Sequence, residues 1–260
     1  MCKIYQPTGR AREYSPLALN LYKGCTHGCQ YCYVPRMFKK WNKDYDHAQC
    51  TPSFNAKEVE KYAAKYQGID RQILLSFTGD PYCGIDNTPT HEALEILNRY
   101  QHHVAILTKG GTRCLKDIDL FKKFGNRIKV GATLTFDNDE DSLKWEPGGA
   151  LPADRLSMLR ELHNQGITTW ASFEPVVIPE QSLTLLSMVA TLGYVDHVKI
   201  GKLNNYQGLD KEIDWNEFIR EAVKICRDCE LPFYIKKDLN EHNRDTELRP
   251  EETDQDYLNI

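Results

Sequence analysis

Seven short apolar runs punctuate the chain: LALNLY at 17–22, RQILLSF at 71–77, HVAILT at 103–108, IKVGATLTF at 128–136, ITTWASFEPVV at 167–177, VDHVKIG at 195–201 and PFYIK at 232–236. Their length and β-branched content predict strands buried on both faces. Between them apolar residues recur at i, i+3, i+4 and i+7: Val59, Tyr62, Ala63, Tyr66; Ala93, Ile96, Leu97, Tyr100; Trp215, Phe218, Ile219, Ala222. That spacing puts one apolar stripe on each of three helices. Strand and helix alternate throughout. Six or seven βα units with right-handed crossovers make an α/β fold, either a parallel barrel or a partial one, with a doubly wound sheet as the topological alternative.

In a parallel barrel, chemistry collects where strands give way to loops on the carboxyl side. The polar residues fall there. A loop with three cysteines follows the first run, TGDPY (78–82) the second and TKGGTR (108–113) the third. Thr133 and Thr135 end the fourth, Glu174 lies in the fifth, and GKLNNY with Lys202 and Asn204 follows the sixth. A functional rim is expected on that side.

At 260 residues the chain suffices for one large domain. The start, MCKIYQPTGRAREYSP, lacks the apolar core of a signal peptide, and no apolar run approaches a membrane span, so a cytoplasmic protein with no membrane partner is expected. Nine unevenly spaced cysteines argue for metal or reactive thiols over a disulfide framework. The net charge of −4 is unevenly spread. Lys3 to Lys43 carries eight Lys or Arg against Glu13 alone, whereas 238–260 carries eight acids against Arg244 and Arg249. Residues 1–237 are expected to form the barrel domain, and 238–260 an acidic tail, solvated or loosely docked or part of the same domain.

GCTHGCQYCYVP, 24–35, packs Cys25, Cys29 and Cys32 into eight residues. A structural zinc site wants four ligands, commonly as two pairs, so His27 or a distant cysteine would have to complete it. Thiolates also hold iron–sulfur clusters, where three protein ligands on a four-iron cubane leave one iron open. The same residues, C-x3-C-x-Tyr31-C, resemble the signature of the radical S-adenosylmethionine (SAM) superfamily. The longer stretch GRAREYSPLALNLYKGCTHGCQYCYVPRM resembles its spore photoproduct lyase-like branch, a group that also contains queuine lyase.

The resemblance implies a partial (β/α)6-type parallel TIM-like barrel, a [4Fe-4S] cluster and SAM as cofactors, and an electron donor such as flavodoxin or ferredoxin. It implies cleavage of SAM to a 5′-deoxyadenosyl radical that abstracts hydrogen from a substrate. Carried over by position, Cys25, Cys29 and Cys32 would ligate the cluster and Tyr31 would contact adenine. Thr78, Gly79 and Asp80 would meet the methionine amino group, Lys109 and Thr133 its carboxylate end, and Glu174 the ribose or the substrate. Lys202 and Cys83 join Asp80 and Glu174 as candidate catalytic groups.

Each residue also has a plain structural reading. Asp80 sits where a turn before Pro81 would use it, Lys109 could be a loop lysine and Thr133 a simple strand former. Glu174, in an apolar run, needs a partner if buried. Cys226 continues an apolar helix face, so Cys226 and Cys229 are read as packing rather than as a second cluster. Trp170 and Tyr206 flank the rim, as stackers for a planar base or as core. Three functions remain. The first is lyase cleavage of a small modified nucleobase, most specifically queuine to a 7-deazaguanine precursor for salvage, with Asp80, Glu174 and Asn204 reading its ammonium and diol. The second is repair of damaged DNA; there the basic amino-terminal segment helps, but Phe77 stands where the repair lyase has its hydrogen-returning cysteine. The third is a zinc- or cluster-stabilised nucleic-acid-binding module.

Overall fold

The computed structural model describes residues 2–84, 86–204, 206 and 208–260, so Asn205 of GKLNNY lies outside the described residues. The strands are β1 (Ile4–Tyr5), β2 (Leu17–Leu19), β3 (Tyr22–Lys23), β4 (Thr51–Pro52), β5 (Ile73–Leu75), β6 (Val104–Thr108), β7 (Ile128–Thr133), β8 (Thr168–Val176), β9 (His197–Lys202) and β10 (Phe233–Ile235). The helices are α1 (Tyr33–Lys39), α2 (Ala56–Tyr66), α3 (Thr88–Arg99), α4 (Ile118–Phe124), α5 (Asp139–Trp145), α6 (Pro152–Asn164), α7 (Pro179–Leu192), α8 (Trp215–Asp228), α9 (Lys237–Asn240) and α10 (Pro250–Thr253). Each of the seven apolar runs contributes a strand to one sheet.

That sheet has the order β1-β2-β5-β6-β7-β8-β9-β10, with every pair parallel except β1 against β2. Its edges, β1 and β10, are not paired to each other. The result is an open, partial parallel barrel. Among the described residues no helix is long and apolar enough to cross a membrane.

Local chemistry sets the element ends. Asn55, Asn138 and Asp214 accept from backbone N–H groups in the first turns of α2, α5 and α8, replacing bonds that a helix start lacks. The first apolar run stops pairing in the large sheet at Leu19 because Asn20 turns its amide to the next loop. Its Oδ1 accepts from Phe77 N at 2.8 Å and Thr78 N at 3.2 Å. Tyr22 and Lys23 then pair with Pro52 and Thr51 in a separate ribbon.

Trp170, read from sequence as a possible rim stacker, is instead core: it is 1% exposed, donates from Nε1 to Ile106 O at 2.9 Å and lies parallel to His197. The indole fits because its cross-strand partner is Gly131, where a Cβ would come within 2.6 Å of the ring.

Residues 238–260 are more firmly held than a solvated tail. Arg12 binds Asp256 through two N–H groups at 2.6 and 2.7 Å, and Arg227 binds Glu252 at 2.9 and 2.6 Å. Lys129 Nζ donates to Leu258 O, Lys199 Nζ to Gln255 O at 3.4 Å, and Gln72, just before β5, to Asn259. The segment thus lies across the end where the strands begin. Buried lysines there need acceptors, and its backbone carbonyls supply them.

Candidate functional site

The cysteine loop is clamped from two sides. Cys25 N donates to His47 O at 2.7 Å, while Gln30 N reaches Trp145 O at 2.9 Å and Gly148 N reaches His27 O at 2.9 Å. Gly24 has φ +79°, and a Cβ there would strike the carbonyl oxygens of Gln49 and His47, so only glycine admits this close approach. Cys25, Cys29 and Cys32 are free and half-buried. A hydrogen bond with Cys83, then burial, raises the Cys25 thiol pKa; burial pushes Cys29 up to about 12 and also raises Cys32. Such thiols become thiolates when a metal takes the place of the proton.

His27, the sequence alternative for a fourth ligand, is buried with both ring nitrogens engaged. Nδ1 lies 3.5 Å from Asp80 Oδ2 and Nε2 lies 3.4 Å from Arg113. Among the described residues no three His, Cys, Asp or Glu side chains close on a point that one metal ion would fill. A cubane asks for thiolates on separate irons. The donor set and the glycine-lined loop fit that group, and Cys25, Cys29 and Cys32 would hold it.

Asp80 serves the loop in which it stands. It accepts from Thr108 Oγ1 at 2.6 Å, Lys109 N at 2.7 Å and Tyr82 N at 2.8 Å. These bonds tie TGDP to the end of β6, which is the turn role weighed above. Thr78 takes its position from Asn20, and Gly79 packs against the carbonyl of Gly24, so this loop abuts the cysteine loop.

A second carboxylate, which the sequence reading did not single out, organises the other flank. Glu146 is 1% exposed, faces Arg155 across a buried ion pair and accepts from the Tyr31 hydroxyl and from Thr135 Oγ1 at 3.2 Å. Lys109 Nζ comes within 3.9 Å of it and 5.6 Å of the Tyr31 ring centre. Burial raises the Glu146 pKa, and Arg155 opposes that rise. Thr133 is buried at the end of β7, and its carbonyl accepts from Arg155 at 2.9 Å. Tyr31, Lys109 and Thr133 are therefore brought together around one buried carboxylate beside Cys29, whose electrostatic neighbours include Lys109 and Glu146.

Glu174 heads a separate group inside the sheet's curve. Lys236 Nζ, from the end of β10, donates to both its oxygens at 2.9 and 2.7 Å, and the Tyr14 hydroxyl donates to Oε2. Tyr14 also shares a 2.8 Å bond with Ser172. Tyr33, next to Cys32, is exposed on α1, and its hydroxyl donates to Phe77 O at 3.0 Å. Lys202 turns away, toward His242 at 3.1 Å and Asp210 at 3.8 Å. Asn204 donates to Asp238 at 2.7 Å, Arg10 lies 3.2 Å from that same oxygen, and Asp238 Oδ1 has no partner among the described residues.

Cys83 is buried, and its carbonyl accepts from Thr26 Oγ1 in the cysteine loop. It stands on the Cys25 side of the loop rather than in the Glu174 group. Cys226 is fully buried on α8 and Cys229 is exposed. Tyr206 packs edge-on against Trp145 at 5.4 Å. Tyr14, Glu146, Arg155 and Lys236 carry the site yet gave no sequence signal, since each meets its partner only through the fold.

The chain resembles the uncharacterised protein MJ0683 of Methanocaldococcus jannaschii, 33% identical over 163 residues, which cover 61% of this chain and 60% of that one. It also resembles the uncharacterised protein ORF301 of Acidianus two-tailed virus, 23% identical over 80% of this chain and 73% of that one. Among solved structures, spore photoproduct lyase with bound SAM and a dinucleoside spore photoproduct superposes with a TM-score of 0.69 at 13% identity, covering 88% of this chain and 78% of that one. Streptococcus suis SuiB bound to SAM gives 0.65 at 12%, covering 88% and 52%. This chain thus spans about 60% of the length of MJ0683 and about half of SuiB. These structures share its fold. The family model for the Radical SAM superfamily matches residues 19–190, from β2 past the cysteine loop and into α7, and the chain belongs to that superfamily, whose cofactors are a [4Fe-4S] cluster and SAM.

Proposed function

We propose that this chain is a cytoplasmic radical SAM enzyme acting on a modified nucleobase, most specifically a lyase that cleaves queuine to a 7-deazaguanine precursor for salvage. When bound, the cluster supplies an electron that splits SAM to a 5′-deoxyadenosyl radical able to abstract hydrogen. The chain's own residues hold, orient and shield. Glu146, fixed by Arg155, positions Tyr31 and Lys109 beside the cysteine loop, where an aromatic ring and an ammonium suit an adenine and a carboxylate.

The observation that carries the substrate reading is the polar set around Glu174. That side chain keeps 16% exposure while bonded to Lys236 and Tyr14. Asp238 and Asn204, bonded to each other, offer a carboxylate and an amide two residues beyond Lys236 and Lys202 in the chain. Queuine offers a secondary ammonium and a diol, which such acceptors would recognise. Asp238 would join Glu174 and Asp80 as a carboxylate for that recognition.

A second reading, repair of damaged nucleic acid, is favoured by the surface of α1 and the turn after it. Tyr33, Met37 and Trp41 are exposed, Trp41 by 88%, among Arg36, Lys39, Lys40 and Lys43. Aromatics interleaved with cations suit a strand of nucleic acid. Phe77 at the position of the repair lyase's cysteine weighs against it.

Anaerobic cluster reconstitution followed by measurement of 5′-deoxyadenosine with queuine, other nucleobases, nucleosides and damaged DNA separates the readings. Queuine is expected to stimulate product formation, and Glu174→Gln to reduce that stimulation at least tenfold. Stimulation by damaged DNA alone, with oligonucleotide binding that falls steeply with salt, would replace the first reading with the second.

A further inference from the structure

Residues 45–50 form a strap against the cysteine loop, and His47 is its closest point. Its carbonyl accepts from Cys25 N at 2.7 Å, and its ring Nε2 lies 3.8 Å from Cys32 Sγ. One residue therefore touches two of the three cluster ligands, the first through backbone and the second through side chain. The ring is oriented from behind: Nδ1 lies 3.0 Å from the Tyr45 hydroxyl, and Tyr45 stacks on Phe38 with ring centres 4.7 Å apart.

The proton inventory of this chain of groups has one consistent solution once Cys32 is a metal-bound thiolate. A thiolate has no hydrogen to give, so Nε2 must carry the proton and donate. In the neutral ring Nδ1 then accepts, and the Tyr45 hydroxyl is its donor.

We infer that His47 is a positioning residue for the cluster, donating Nε2–H to the Cys32 thiolate in a tautomer fixed by Tyr45, and thereby raising the cluster's reduction potential. Hydrogen bonds to cluster sulfurs stabilise the additional negative charge of the reduced state. The inference rests on the superfamily's cluster and not on the proposed substrate, so it stands or falls separately from the queuine reading.

The test is a spectroelectrochemical titration of the reconstituted protein, followed through cluster absorbance and electron paramagnetic resonance, with iron content measured for every variant. His47→Leu is expected to make one-electron reduction about tenfold less favourable, a downward shift of about 59 mV. His47→Gln, whose amide can still donate, is expected to recover much of the shift. Tyr45→Phe, which leaves the ring but removes the group that sets its tautomer, is expected to shift the midpoint the same way by a smaller amount. Loss of iron in His47→Leu would transfer the decision to the other two variants. Unchanged midpoints in every variant that loads iron, Tyr45→Phe included, overturn the inference, as does a Gln variant that shifts as far as Leu.

Discussion

Glu146 and Arg155 illustrate what a single buried charge does for this site. Both are at most 2% exposed, and Arg155 spends its remaining N–H groups on Ala150 O at 2.8 Å and Thr133 O at 2.9 Å. Replacing Glu146 by Gln keeps the shape but leaves the guanidinium without a counter-charge. Breaking a buried pair from one side costs about 3–5 kcal/mol. Glu146→Gln is expected to lower unfolding free energy by about that amount in urea titration of the cluster-free protein; a change below about 1 kcal/mol would mean that Arg155 finds compensation elsewhere. The contrast with the cysteines explains what the sequence could reveal. Three cysteines within eight residues are a local pattern, whereas Tyr31 and Glu146 stand 115 positions apart and meet only because the fold brings the segment after β7 to the cysteine loop. Asp80 shows a use of the opposite kind, visible only in the fold. A carboxylate beside a glycine-bearing loop reads as a ligand for an ammonium, yet its bonds to Thr108, Lys109 and Tyr82 use it to shape the loop.

The strands were legible because a parallel sheet covered by helices buries both faces, and the apolar runs are then continuous. β1 escaped because two residues carry no period, and LALNLY lost its second half because Asn20 holds the neighbouring loop. Alternation alone could not say which strand residues face inward or how close two strands' side chains come. Gly131 opposite Trp170 is such a case. The would-be Cβ contacts involve the Trp170 carbonyl and indole, and neither the backbone of β8 nor a ring held by its Nε1 bond to Ile106 can withdraw. Overpacking of this kind costs about 1–3 kcal/mol and at times more. Gly131→Ala should fall at the upper end, with a matching loss in thermal midpoint; Ala tolerated within about 0.5 kcal/mol would mean that β7 and β8 slide apart more readily than their register implies.

Across the whole molecule, the two ends of the partial barrel carry opposite demands. One gathers the cysteine loop, Glu146 and Glu174; the other buries lysines under residues 254–260. The acidic composition of 238–260 pointed to solvent, but composition does not reveal that Lys129 and Lys199 lie at the covered end. Lys199 donates to Glu13 O at 2.8 Å and Tyr14 O at 3.3 Å, joining that end to the residue that bonds Glu174. Burial first, and Lys236 next, hold its pKa down to about 7, with Asp256 and Glu13 pulling upward and Arg12 adding to the depression. Between that value and the ordinary 10.5 the unfolded chain binds the proton and the folded one does not, so stability rises with pH across the interval. Cysteines and tyrosines raised by burial act in reverse once their unfolded counterparts ionise, from about pH 9 upward. The clear window is therefore pH 7 to 9. Lys199→Met removes the titrating group while keeping most of its volume, so its stability should be flatter with pH. Wild type is expected to gain on the variant by about 1 kcal/mol per pH unit in urea titrations under reducing conditions at pH 7, 8 and 9. Parallel profiles would mean that Lys199 stays protonated in the fold, its ammonium solvated by the carbonyls of Glu13, Tyr14 and Gln255.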